Sequence, residues 1–260
     1  MMLRRVIEHV KNQQWTAVAI DFVIVVIGVF VGIQVSNWNQ ARVIEQQSAT
    51  FTAHLKEDLR EEDWGYQLMI QYNRDVLANA NIAVNALDGT APTSDEALLV
   101  SAYRATQYKN KSRRRGTYDE LISTGTIGLI RDRSLRDTAM RNYNSPTIEA
   151  MVREGMTSRY REAFRMTLPS ATQRSLARNC GDKLIAIGDY SGIGRVLDYP
   201  CTPGLSEAEV HEAATALRAN PDLLPFLRLR IADIETRLAD LTGNNKPIME
   251  GLRAIAKEKP

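Results

Sequence analysis

The side chains best suited to chemistry in this sequence are histidines placed beside carboxylates. His54 and Asp58 are four residues apart and would share one face of a helix, with Glu57 and Glu62 nearby. His211-Glu212 could join them from a second helix. A zinc or di-iron site needs three or four convergent ligands, usually including a second histidine motif. We therefore interpret these residues as ordinary surface pairs, and the sequence predicts no metal site.

Two glycine-containing motifs suggest other chemistry only weakly. The segment from Gly188 to Gly192 resembles the nucleophile elbow G-x-S-x-G, but its serine stands one place late. Gly192-Ile-Gly194 lacks the third glycine of a dinucleotide fingerprint, and no Gly-Lys-Ser/Thr follows to bind phosphate. A tight turn explains these glycines better. Because the carboxylates at 61–63 form a charged run rather than an acid and base pair, the sequence predicts no enzymatic activity and no cofactor.

The densest basic stretch carries five cations within seven residues, namely Lys109, Lys111, Arg113, Arg114 and Arg115. One interpretation is a solvent-exposed loop, and another is a patch that binds anionic headgroups or cell-wall polymers. The whole chain has a net charge of only +2. A field that weak does not indicate nucleic acid as a partner.

The element that must position all of these residues is an apolar stretch from Trp15 to Trp38. Its central part, residues 22–33, contains no polar side chain. As a helix the stretch would be about 34 Å long, enough to cross a hydrocarbon core of about 30 Å. The two tryptophans would then lie in the headgroup layers, where amphipathic rings are enriched. We predict a transmembrane helix over residues 17–38.

Two alternatives to a membrane anchor are less well supported. A buried strand would suit the many valines and isoleucines, but such strands usually last 4–8 residues between turns. A cleaved signal peptide needs small residues in an A-x-A-like pattern after the apolar core. Gln34-Val35-Ser36 and Asn39-Gln40-Ala41 both fit that pattern poorly. An uncleaved anchor is therefore favoured.

The charges that flank the stretch predict its orientation. Arg4, Arg5 and Lys11 precede it, whereas Arg42 is the nearest basic residue after it. Basic residues in a short flank hold that flank in the cytoplasm, and a long following domain is translocated largely regardless of its charge. We expect residues 1–16 to form a cytoplasmic amphipathic segment and residues 39–260 to lie outside. Nucleic acid is then an implausible partner.

Small residues within the apolar stretch indicate a surface for helix pairing. Gly28 and Gly32 form a GxxxG match, and Ser36 extends the same register. Small side chains let two helix backbones approach closely in lipid, so a homodimer or a membrane-protein partner is one expectation. The other is that these glycines only reflect the frequency of glycine in membrane helices.

The remainder of the chain has an ordinary globular composition and a helical pattern. Apolar residues recur every three to four positions from Ala41 to Leu87, and the turn Asp88-Gly89 ends that run. Ser94 is a predicted N-cap, Asp132 begins another helix, and Ser206 with Glu209 forms a capping box.

Further helices are predicted over residues 147–168 and from about residue 220, the latter ending at Gly243 before a short charged tail. Residues 173–203 are the least helical. There Leu184-Ile-Ala-Ile187 and Arg195-Val-Leu197 are predicted as two short strands.

Two cysteines, Cys180 and Cys201, lie in or beside that irregular segment. Outside the cytoplasm they most simply pair, and closing a loop of about 20 residues would stabilise the fold by roughly 3 kcal/mol. The predicted fold class is therefore mainly α. It comprises a transmembrane helix followed by an antiparallel helical bundle with a small disulfide-linked insertion.

Two blocks of sequence resemble a known family. Asp21 to Asn39 is similar to the N-terminal signature of bacterial domain-of-unknown-function family 6090, in which an acidic residue, an apolar span with Ile-Gly and a closing Q-x-x-N-W-N recur. Thr117 to Arg136 resembles its central block, with tyrosine, leucine, S-x-G, an apolar pair and a polar turn before Leu-Arg. The resemblance implies a single-pass, helix-rich membrane protein, and it carries no activity. From the resemblance together with the orientation predicted above, we expect a bacterial inner-membrane protein with residues 39–260 in the periplasm.

Three functional hypotheses are consistent with these patterns. The first is a non-enzymatic, membrane-anchored interaction or envelope-associated module whose contacts include the bilayer. The second is an extracytoplasmic sensor or ligand-binding bundle that signals through a partner. The third, an enzyme that acts on envelope material, lacks a catalytic constellation.

Overall fold

The computed structural model describes residues 15–258, and the predicted amphipathic segment before Trp15 lies outside them. No strand occurs in this range, which confirms the mainly α fold class. The helices are α1 Trp15–Leu87, α2 Asp95–Ala105, α3 Gly116–Ser123, α4 Arg133–Asn144, α5 Thr147–Met156, α6 Arg159–Thr167, α7 Ser170–Cys180, α8 Glu207–Ala219, α9 Leu223–Ala239 and α10 Lys246–Lys257.

The first helix begins in the apolar stretch and continues without interruption to Leu87. Neither proline nor a pair of glycines breaks this sequence, so the helical pattern persists through Gly65. The far end of the Lys111 side chain lies in the space that a Cβ at Gly65 would occupy. The helix ends before Gly89, whose φ of 75° only glycine adopts readily.

The described chain divides into two compact units. The first contains α1 as far as Ala53 together with Gly128–Arg131, and the second contains all the rest. Within the first unit, buried Ser48 donates a hydrogen bond from Oγ to the carbonyl of Leu129 over 2.6 Å. The predicted domain boundary near residue 38 remains a prediction.

The second unit has a large apolar core built from helices that are distant in sequence. Helix α2 packs against α6, α7 and α8, and α9 packs against α5 and α6. Leu98, Tyr160, Phe164, Leu176 and Leu227 are among its almost fully buried side chains. Each comes from a different turn of an apolar stripe, so burial of those stripes stabilises the unit.

The two predicted strands are wrong. Residues 181–206 form turns and a single 3-10 turn at Ile193–Arg195. Val196 and Leu197 are buried against α1 in a second core cluster, but Leu184 is 96% exposed. The apolar run from Leu184 therefore does not have the buried face that a strand needs, and within the described residues no neighbouring strand offers a hydrogen-bond ladder.

Two further predictions about helix limits are also wrong. The predicted helix over 147–168 is two helices, because Ser158 has an extended backbone (ψ 127°) between α5 and α6. The segment predicted to be irregular from residue 173 is helical as far as Cys180.

The end of the described chain differs from the predicted charged tail. After α9, residues Asp240–Asn244 form a π-helical turn, and α10 comes next. Ile248, Leu252 and Ile255 are buried on one face of α10, which packs against α4. Their spacing is that of an amphipathic helix, whereas the charges on the opposite face produced the wrong prediction.

The predicted helix starts are confirmed. Ser94 accepts a hydrogen bond from the amide of Ala97, and Asp132 accepts one from Leu135. Ser206 and Glu209 form a complete capping box at the start of α8. Each side chain satisfies a backbone N–H that has no partner within its own helix.

Candidate functional site

Large apolar side chains are exposed all around the first part of α1. Between Ile20 and Val35 they are 48% to 69% exposed, and Trp15 and Trp38 are exposed as well. Among residues 15–258, α1 is the one helix long and apolar enough to cross a membrane, and its most apolar window is not buried at all. An apolar surface of this extent has no partner within the described chain.

The predicted pairing surface is likewise open. A Cβ built at Gly28 or Gly32 would meet no atom within 4 Å, and Ser36 is exposed. Among residues 15–258 nothing covers this face of α1, and its use in helix pairing remains a prediction.

The most highly charged cluster centres on Glu62, whose side chain is only 1% exposed. Its Oε1 accepts hydrogen bonds from Lys111 Nζ at 2.9 Å and from the backbone amide of Arg114 at 3.0 Å. Its Oε2 accepts from Arg113 Nε at 2.7 Å and from Asn142 Nδ2 at 3.4 Å. Burial raises the pKa of the Glu62 carboxyl, but the charges of Lys111 and Arg113 outweigh burial and hold that pKa below its usual value.

Arg113 connects this cluster to α4 and α5. Its Nη1 donates to Glu149 Oε1 at 3.0 Å, and its Nη2 donates to the carbonyl of Asn142 at 2.8 Å. The guanidinium also lies over the ring of Tyr143, whose hydroxyl donates to the carbonyl of Arg114 at 2.6 Å. One arginine thus satisfies groups on three helices, as its planar fork of donors allows.

The remaining cations of the basic stretch are also paired. Arg114 contacts Asp58 at 2.9 Å and Glu61 at 3.0 Å. Lys109 contacts Asp182 at 2.9 Å, and Arg115 contacts Asp119 at 2.9 Å.

Residues 107–115 form a loop, as one interpretation predicts, and Arg114 and Arg115 are 50% and 46% exposed, but Lys111 and Arg113 are each only 9% exposed. Each of the five cations contacts a carboxylate, and anion binding by this stretch remains a prediction. Except for Asp119, which is four residues from Arg115, the partners are carboxylates far away in sequence, and local charge density gave no sign of them.

The histidines are not brought together. His54 is exposed, and Asp58, its proposed partner, is engaged by Arg114. His211 lies 2.7 Å from Asp95 on the surface of the second unit. Within the part of the chain that the structure describes, no group of three or more candidate side chains converges as metal ligands.

Cys180 and Cys201 form the predicted disulfide, with their Cα atoms 5.4 Å apart. Buried Arg104 lies beside it and donates to the carbonyls of Tyr199 at 2.7 Å and Cys180 at 3.4 Å. The guanidinium also lies over the ring of Tyr199. The disulfide and Arg104 together fix the irregular segment to α2 and α7.

Sequence reasoning missed several buried charges. Asp75 is 6% exposed, and its Oδ2 has no hydrogen-bond partner. Burial raises the pKa of this carboxyl to about 6, although a hydrogen bond from Gln71 opposes the shift. Arg230 is 3% exposed with an unpaired Nε, and burial lowers its pKa. The sequence could have indicated both residues, because Asp75 on α1 and Arg230 on α9 are charged residues within the apolar stripe of a long helix.

These features define a class: an all-helical protein with one helix suited to a membrane and a second unit held by ion pairs and a disulfide. Residues 21–154 match the model of DUF6090, a family of unknown function. Since the match covers just over half of the chain, the protein belongs to that family. The matched part contains Glu62, Arg113 and Glu149 but neither cysteine. No curated protein and no solved structure matches the chain.

Proposed function

We propose that this protein is a membrane-anchored, non-enzymatic interaction module. In this proposal α1 crosses a bacterial inner membrane once, with the N-terminus in the cytoplasm and the second unit in the periplasm. The observation that carries the proposal is the apolar part of α1, whose side chains are exposed on every face. A helix that is apolar all around is stable in lipid and not in water.

The energetics of insertion support the anchor. Valine, isoleucine and phenylalanine between residues 17 and 35 contribute about −4 to −8 kcal/mol in total on an insertion scale. Asp21 lies near one end, where it opposes insertion less than the roughly 2.5–3.5 kcal/mol of a central aspartate. Helix α1 also continues through residues 34–41, so no turn separates its apolar part from its polar part, as expected of an uncleaved anchor.

The state of the charged groups favours a module over an enzyme. The acids and bases that are densest in the sequence neutralise one another around Glu62. A general base or nucleophile must be free to exchange a proton or bond with a substrate, and these groups are held in ion pairs. Their arrangement supports a structural role for the basic stretch.

Topology is the first test of this proposal. Protease added to spheroplasts that carry a C-terminally tagged chain should remove the tag, and intact cells should protect it. Membranes washed with alkaline carbonate should retain the protein. Recovery of the protein in the soluble fraction, or a tag protected in spheroplasts, would overturn the proposal.

Crosslinking in membranes tests the partner surface. Replacing Gly28 and Gly32 together by isoleucine should reduce crosslinked dimer or partner complex several-fold, because the larger side chains separate the helix backbones. Phe30→Leu, on the opposite face of the helix, is the matched control and should leave the yield unchanged. Equal crosslinking yields from the wild type, the double variant and Phe30→Leu would contradict pairing through the glycine face. They would not contradict the membrane anchor.

A further inference from the structure

A second cationic group, absent from the sequence predictions, surrounds a cleft of about 340 Å³ in the second unit. The cleft lies between the end of α2 and the helices α6 and α7. Its wall contains three arginines, Arg161 and Arg165 from α6 and Arg174 from α7, and no carboxylate. Spacing of four residues places the two α6 arginines on one helix face.

These arginines differ from those of the basic stretch because none of them has a carboxylate partner within residues 15–258. Arg161 is half-buried, and its Nη1 donates to the carbonyl of Thr106 at 3.1 Å. Arg165 and Arg174 are exposed. Burial, followed by the charge of Arg165, lowers the pKa of Arg161. Three cations around one cleft without a counter-ion produce a positive potential that attracts an anion.

Helix α7 begins beside the same cleft. It is 11 residues long and begins at Ser170, which lines the cleft, and Pro169 before it supplies no side-chain cap. The first N–H groups of a helix carry partial positive charge and bind oxyanions when no cap is present. The hydroxyl of Ser170 is a further donor of suitable chemistry.

The arginines, the size of the cleft and the other residues of its wall indicate which class of ligand it can bind. Bidentate arginine forks match the oxygens of phosphate, and a doubly charged phosphate monoester balances more of the positive charge than a carboxylate does. The cleft of about 340 Å³ is larger than a phosphate group alone, and Tyr103 and Phe164, both buried, form part of its wall. The remaining space admits a small organic group attached to the phosphate.

We propose that the cleft of Arg161, Arg165 and Arg174 binds the phosphate group of a small organic phosphate monoester. The same chemistry is presented by a free ester and by the headgroup of phosphatidic acid. The site does not depend on the membrane topology proposed above, so either proposal can fail without the other.

The test measures binding of glycerol 3-phosphate to the full chain in detergent by calorimetry. Saturable binding, tighter than that of inorganic phosphate, is expected, with no binding of glycerol. Arg165→Gln and Arg174→Gln should each weaken binding about tenfold, the usual effect of losing one charged hydrogen bond. Because Arg165 and Arg174 are both exposed and have no carboxylate partner within residues 15–258, the two variants should have the thermal unfolding midpoint of the wild type. Arg74→Gln, an exposed arginine of α1 outside the cleft, is the matched charge control.

A final arm separates the two sources of the phosphate. Short-chain phosphatidic acid that displaces glycerol 3-phosphate and binds more tightly would assign the headgroup, and weaker binding would assign a free ester. The proposal is overturned if glycerol 3-phosphate does not saturate, if it binds no better than inorganic phosphate, or if Arg74→Gln weakens binding as much as the cleft variants.

Discussion

Arg113 Nε lies 2.7 Å from Glu62 Oε2, and the two side chains are only 9% and 1% exposed. The residues are 51 positions apart in sequence, so this ion pair joins the basic stretch to α1 inside the second unit. Net stabilisation by a buried ion pair is usually small, because desolvation offsets the attraction. Removing one partner is strongly destabilising, because the other charge then stays buried without compensation.

Glu62→Gln should therefore lower the free energy of unfolding by about 3–5 kcal/mol, the range for a broken buried pair. Lys111 would then face a neutral amide in place of its carboxylate, and Arg113 would keep only Glu149 as a charged partner. Urea unfolding of the full chain in detergent, followed by the fluorescence of Trp64, which is buried in the second unit, measures the change.

The matched control is Glu57→Gln on the same helix. Glu57 is 65% exposed and contacts Arg114 at 3.6 Å, so its loss should change the stability by less than about 1 kcal/mol. Equal effects of the two substitutions would contradict a central role for Glu62.

Acid should weaken the same cluster. Because the pKa of Glu62 is lower in the folded chain than its ordinary value of 4.5, its contribution is fully present above that value. The contribution is lost as the pH falls through the folded pKa, where the carboxyl is protonated. Wild-type stability should fall more steeply below pH 4.5 than that of Glu62→Gln, and parallel curves would refute this assignment.

Asp75 should give the opposite pH dependence. Its folded pKa of about 6 exceeds the ordinary value of 3.8, so the folded chain retains a proton that the unfolded chain releases between these values. Stability should fall as the pH rises through this window. Asp75→Asn removes the buried charge and should raise the free energy of unfolding at pH 8 by on the order of 2 kcal/mol, with little change at pH 4.

Exposed Glu212 on α8 provides the control for Asp75. Glu212→Gln should change the stability by less than about 0.5 kcal/mol at both pH values. If Asp75→Asn destabilises the chain at pH 8, then the carboxylate is needed in its ionised form and the expected sign is wrong.

Replacing Cys180 and Cys201 together by serine should lower the free energy of unfolding by about 3 kcal/mol, from the entropy that the unfolded chain regains. Reductant should destabilise the wild-type chain by a similar amount and leave the double variant unchanged. Mass spectrometry of the chain isolated without reductant should show that both cysteines are oxidised. Detection of two free thiols would contradict the disulfide.

Close packing at Gly155 on α5 gives a steric prediction. A Cβ there would lie 2.5 Å from Cβ of Tyr108 and 3.1 Å from Nη2 of Arg230, so Gly155→Ala should destabilise the fold by about 1–3 kcal/mol. Gly243 has nothing within 4 Å of the same position, and Gly243→Ala should be neutral or slightly stabilising. Thermal unfolding of the two variants side by side makes the comparison, and similar midpoints would argue against the contact.

Local features of the sequence predicted the helices well, since a helix depends on residues only a few positions apart. The caps at Ser94, Asp132 and Ser206 were recognisable because the donor and acceptor lie within three residues. The strands predicted around Leu184 failed because β-branched and apolar runs do not form a ladder without a neighbour. Whether a neighbouring strand is present depends on the whole fold.

The sequence by itself determined that this chain has one long apolar segment and that most of its remaining part is helical, and it led to the expectation that its two cysteines pair. Each of these can be derived from composition, periodicity or the simplest pairing of two residues. Only the tertiary structure decided which charges are compensated: Arg113 is buried against Glu62, whereas Arg161, Arg165 and Arg174 surround a cleft without a carboxylate. Coulombic energy depends on distance in space and on burial, and neither can be read from the order of residues along the chain.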